Sequence, residues 1–313
     1  MSGSNRFDFL EIGEAPPTPV PSADGESPSS ASYRLVEIVG SHGVALGEFN
    51  SPAAVAVDAS GCLYVADRYN HRVQKISPDG AVSQLGVPGE QGGQFRSPVG
   101  VAVDNRFHLF VLEQGNHRLQ HFNPSGLFLH AFGRRGQQLG YLNSPCGLAM
   151  DRYNNLTVAD TGNSRIQQFH STGKFLSVIG KSGSDTLGLH KPQAVGVDSE
   201  GHLYVADSLN NRLVKLSATG ALLWSTSGEQ SAVGRLDQPS GVAVTARNTV
   251  LVSDTANNRL VECDADGNWL AEIRLRSPGL TPLRAPQGLC VGLHGDVFVA
   301  DSLNHRVLRF KTT

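Results

Sequence analysis

Short apolar runs alternate with turn residues along almost the whole chain. Val55-Ala56-Val57 and Leu63-Tyr64-Val65 are β-prone runs separated by a turn containing Gly61. Val73 to Ile76 supplies a third run, and runs such as Phe175-Leu176-Ser177-Val178-Ile179 supply a fourth after a further turn. No stretch keeps helical periodicity long enough to compete. The predicted elements are therefore strands, about one per 12 residues, the spacing of an all-β fold.

This pattern recurs six times. Its prolines stand at Pro52, Pro98, Pro145, Pro192, Pro239 and Pro286, at steps of 46, 47, 47, 47 and 47 residues. Asn70, Asn116, Asn163, Asn210, Asn257 and Asn304 keep the same steps, as do Arg72, Arg118, Arg165, Arg212, Arg259 and Arg306. A fixed period of this size indicates a propeller, solenoid or array, and four strands per period indicate a propeller blade. A glycine or serine ends the fourth strand twelve residues before a proline, as Gly86 does before Pro98. Gly40 stands in that relation to Pro52, so Tyr33 to Val39 reads as an orphan fourth strand, while the last copy stops at Lys311-Thr312-Thr313. The orphan is predicted to complete the last blade, because an open sheet edge leaves backbone groups unpaired. Residues 1–32 are too polar and proline-rich to pack and are expected to form a tail. Residues 33–313 are expected to form the propeller.

Asn-His-Arg at 70–72, 116–118 and 304–306, preceded by Val-Ala-Asp or a variant, resembles the NHL motif. The Pro-x-Gly-Val-Ala-Val-Asp opening and the Asn-x-Arg after the second strand match it as well. The resemblance implies a six-bladed all-β propeller of four-stranded NHL blades. Such propellers occur as substrate-binding ends of ubiquitin ligases, as RNA-binding domains, as sensor domains of bacterial kinases and in a peptide-amidating lyase. The lyase needs histidines converging in the channel, and here only His190 lies near the axial columns.

Composition narrows the function. Net charge is −2, and outside residues 1–32 there are 25 basic and 23 acidic residues, a balance unlike that of a dedicated nucleic-acid binder. Aromatic residues make up only 7%, so a core of Val, Leu, Ile and Ala is expected. No apolar run is long enough to span a membrane and no secretory leader is evident. Cys62, Cys146, Cys263 and Cys290 form no CxxC pair, which fits a reducing, cytoplasmic setting. A monomer without a cofactor is expected.

Six internal copies separate scaffold from site. Positions shared by every blade serve the blade: the large apolar residue three before each proline (Phe49, Phe95, Leu142, Leu189, Leu236, Leu283), the small residue two after it, and the acid five before each arginine. The acids are read as turn partners rather than a ring of catalytic carboxylates. His71, His117 and His305 share one column, with Ser164, Asn211 and Asn258 in the other blades, and are read as motif residues rather than a zinc site. Polar positions flanking each proline differ from blade to blade, which is where a ligand site is expected. The candidate binding residues are Asn50, Arg96, Asn143, His190, Lys191, Gln193, Asp237, Gln238, Ser240, Arg284 and Gln287. No catalytic residue or metal ligand is assigned. The expected function is a non-enzymatic binding or scaffold module for a protein, peptide or small ligand. The alternatives are a metal-dependent propeller lyase or hydrolase, and a single-stranded RNA binder using Arg96, Arg134, Arg135, Lys191, Arg235 and Arg284.

Overall fold

The computed structural model describes residues 33–180, 187–275 and 279–312. The expected tail lies outside them. Six four-stranded antiparallel sheets make up the ring. Blade 1 runs Pro52–Val57, Leu63–Asp67, Arg72–Ile76 and Val82–Leu85, innermost strand first. The other inner strands are Pro98–Val103, Gly147–Met150, Pro192–Val197, Pro239–Val244 and Pro286–Val291. Most open on proline, whose missing N–H is tolerated at the first position of a strand. The turn to the second strand is held by an aspartate: Asp58 Oδ1 accepts the backbone N–H of Ser60 at 2.8 Å and of Cys62 at 3.0 Å. Asp104, Asp151 and Asp198 repeat this in blades 2 to 4.

The ring closes as the sequence predicts. Tyr33–Val39 lies antiparallel on Arg306–Thr312, with Tyr33 opposite Thr312 and Val39 opposite Val307. It is the outer strand of the sheet that contains Pro286–Val291. Tyr33 and Leu35 are buried there beside Phe310, Leu260 and Ile273, so closure covers apolar surface as well as a sheet edge.

The interior is divided into six apolar wedges, each filling the seam between two neighbouring blades. Here composition misleads. The largest fully buried side chains are mainly aromatic, including Tyr33, Tyr204, Phe49, Phe95, Phe110, Phe122, Phe169 and Phe310. The few aromatics are concentrated in the seams, because blades diverge from the axis and the widening gap needs large side chains. Near the axis the demand reverses. A Cβ on Gly288 of blade 6 would lie 2.6 Å from the Ala53 carbonyl oxygen and 2.7 Å from the Ala54 Cα of blade 1. The small-residue column is therefore set by backbone approach between inner strands. No helix of the described residues is long and apolar enough to cross a membrane.

Candidate functional site: the channel mouth

One face of the ring carries both the loops entering the inner strands and the Asn-x-Arg turns. Each entering loop is clamped by the acid column. In blade 3, Asp160 Oδ1 accepts the Asn143 backbone N–H at 2.7 Å. Its Oδ2 accepts Asn163 Nδ2 at 2.8 Å, Arg165 Nε at 2.7 Å and Gln167 Nε2 at 3.1 Å. Arg165 then donates to the Gln137, Gln138 and Tyr141 carbonyls of the same loop. The other five blades repeat the acid–arginine pair at 2.6–2.8 Å, with Glu113 replacing aspartate in blade 2. Every one of these acids is fully buried and spends its oxygens on the loop, so the column is scaffold.

The histidine column also has a defined task. Ser51 N–H donates to His305 Nδ1 at 3.0 Å, Ser97 N–H to His71 Nδ1 at 3.0 Å and Ser144 N–H to His117 Nδ1 at 2.8 Å. Ser164 Oγ, Asn211 Oδ1 and Asn258 Oδ1 accept the equivalent N–H in the other seams. The side chain of one blade thus caps the loop of the next. These six residues are all left-handed, with φ of 52–55°, and so are the six residues preceding the prolines. A residue tolerant of that conformation and carrying an acceptor is required, which explains His, Asn or Ser in the column. An accepting Nδ1 requires a neutral ring. Burial lowers the His117 pKa, with Arg135 nearby adding to the effect, and burial next to His42 lowers that of His305.

The channel opens between these loops as a cavity of about 460 Å³. Among the predicted site residues, Gln193, Gln238, Ser240 and Gln287 line it. Asn50, Arg96, Asn143, His190, Lys191, Asp237 and Arg284 are not part of its wall. Six of these seven are pinned to the rim by their own backbone. Their N–H bonds the acid, and their carbonyl accepts an N–H from the Asn-x-Arg turn, as in Tyr69 to Asn50 and Leu303 to Arg284. Arg96, His190 and Arg284 are exposed there, and Arg96 pairs with Glu90 at 3.2 Å.

Sequence reasoning missed a further column. The residue directly after each acid is Arg68, Gln114, Thr161, Ser208, Thr255 or Ser302, and Arg68, Gln114, Ser208 and Thr255 line the cavity. Its signal was present, since this polar position also differs between blades. Cys146 lines the cavity too, and burial raises its thiol pKa, so it stays protonated at neutral pH. The described wall contains no histidine, aspartate or glutamate. Small apolar residues of the inner strands make up most of it, and its polar side chains are amides, hydroxyls and the Cys146 thiol with one cation, Arg68.

Six radial four-stranded sheets around this channel define a six-bladed β-propeller. The NHL repeat matches residues 49–76, 95–122, 189–216, 236–263 and 283–310, and the chain belongs to the NHL-repeat propellers. The copy at 142–169 lies outside the match, although it folds as blade 3. Comparison with curated proteins finds no match. Among solved structures, the chain is similar to a protein of unknown function from Bacteroides thetaiotaomicron (TM-score 0.69, 17% identity, covering 91% of this chain and 77% of that one). It is also similar to virginiamycin B lyase from Staphylococcus aureus (TM-score 0.61, 12% identity, 91% and 88% covered). A third is a chain from a nidogen–laminin complex (TM-score 0.57, 17% identity, 85% of each covered). At these identities the likeness concerns the fold.

Proposed function

We propose that this propeller is a non-enzymatic binding module whose channel mouth receives a segment of a protein partner, a peptide or a small ligand. One observation carries the reading: the cavity wall combines Gln114, Gln193, Gln238 and Gln287 with Ser240 and Thr255, and its described residues include no histidine, aspartate or glutamate to act as a general base. Neutral amides and hydroxyls that differ from blade to blade suit recognition by hydrogen bonding. The lyase likeness gives catalysis no further support, since the described wall holds no histidine. RNA binding is the less favoured reading, because the net charge is −2 and the described channel wall holds a single cation, Arg68.

Selection of a random peptide library against the full chain tests the reading. Gln193→Trp, which fills the mouth, should abolish capture of the selected peptides at an unchanged thermal midpoint. Lys191→Glu, Asp237→Lys and Arg284→Glu report whether the rim contributes. Peptides that bind the plugged variant as well as the parent would show that the mouth is not the site.

A further inference from the structure

Thr161, Thr255 and Ser302 show what the column after the acid ordinarily does. Their hydroxyls donate to the Pro192, Pro286 and Pro52 carbonyls of the following blade at 2.7, 2.8 and 2.6 Å. They tie the end of one blade's second strand to the inner strand of the next blade. Blade 1 departs from this pattern by placing Arg68 in the channel wall.

Arg68 Nη2 donates to Gln114 Oε1 at 2.6 Å, and Gln114 Nε2 donates to Cys146 Sγ at 3.1 Å. The guanidinium also lies 5.1 Å from the centre of the Tyr69 ring. Among the described residues it has no acidic partner, in contrast to the six arginines of the repeat motif. Its Nε is buried and makes no hydrogen bond. It is the one charged side chain of the described wall.

A half-buried cation without a counter-charge, with an orphaned donor, is costly to keep. In a concave wall free of acids its field reaches the cavity unopposed. The neighbouring glutamines present further donors. We propose that the channel mouth binds a single carboxylate, held by Arg68 and oriented by the surrounding amides. One guanidinium among neutral donors matches a monoanion and the fork geometry of a carboxylate. A dianionic phosphate would be left half neutralised. The carboxylate can come from the C-terminus of a peptide or from a free organic acid. This inference rests on the channel mouth being a binding site.

Calorimetric titration of the full chain at low salt is the test. The probes are N-acetyl-trialanine with a free carboxylate, the same peptide as its C-terminal amide, propionate, and inorganic phosphate. The free-acid peptide should bind at least about tenfold more tightly than the amide. A peptide stronger than propionate identifies a C-terminus as the source, and the reverse order identifies a small acid; either supports the proposal.

Arg68→Gln should remove the preference for the acid over the amide. Gln114→Glu supplies an internal carboxylate at the Arg68 contact, and should raise the thermal midpoint while abolishing binding. This second variant keeps the test decisive if Arg68→Gln folds poorly. Equal binding of acid and amide, phosphate as the tightest probe, binding that survives both variants, or no binding by any probe would overturn the carboxylate assignment. If acid and amide bind equally and Gln193→Trp abolishes both, the binding-module reading stands and only the carboxylate falls.

Discussion

His305 Nδ1 accepts the backbone N–H of Ser51, 254 positions earlier in the chain. The bond spans the seam between the last blade and the first, where Ser302 Oγ also donates to the Pro52 carbonyl. His305→Ala leaves a donor on the buried Ser51 without its partner. A loss of about 1–3 kcal/mol in unfolding free energy is expected. His305→Asn should restore most of it, because Asn211 and Asn258 perform the same task in other seams. Denaturant unfolding of the two variants separates acceptor loss from ring packing.

The closing strand should matter more than any single seam contact. Leu35 is 3% exposed and packs in the wedge between blades 5 and 6. Leu35→Ala is expected to cost about 2–5 kcal/mol. Deleting residues 33–39 should also expose the edge of Arg306–Thr312 and promote association, visible by light scattering. A monomeric deletion variant with the parent thermal midpoint would contradict this account of closure.

Asp160 is expected to be among the least replaceable residues. Asp160→Ala strips Arg165 of its carboxylate while leaving the cation buried, and releases the entering loop of blade 3. A loss of about 3–5 kcal/mol is predicted. Asp160→Asn keeps the size but not the charge, and should fall between parent and alanine in chemical denaturation.

Blade 2 should make stability sensitive to acid. His121 stacks on Phe110 at 4.2 Å, contacts His108 through a 2.7 Å N···N hydrogen bond, and meets the edge of His130. Its Nδ1 and His130 Nε2 are buried without partners among the described residues. Burial, with the neighbouring His130 and His108, lowers the His121 pKa from 6.5 to about 4, and Asp104 opposes this only weakly. Because the folded pKa lies below the unfolded one, only the unfolded chain takes up the proton between these values. Stability is full above pH 6.5 and is lost as pH falls toward 4, by on the order of 2 kcal/mol. His121→Phe should flatten that part of the profile, measured as unfolding free energy against pH.

The columns also show why part of the site escaped sequence reasoning. Gln193, Ser240 and Gln287, one after the proline, were recognised and do line the channel, as does Gln238 just before it. His190, Asp237 and Arg284 look equally variable, yet both backbone groups of each are tied to the blade's own turn, which leaves them on the rim. Arg68 escaped notice because its column lies in a different turn, more than ten residues along the chain from the prolines.

The repeat period, the strand content, the six blades and the borrowed closing strand follow from the sequence alone. They depend on local β-preference and on spacing, both of which are linear properties of the chain. Tertiary structure decided which variable side chains share the cavity and that one cation stands there without an acid. Those facts depend on left-handed turns and on seams between residues as far apart as Ser51 and His305, which no local pattern encodes.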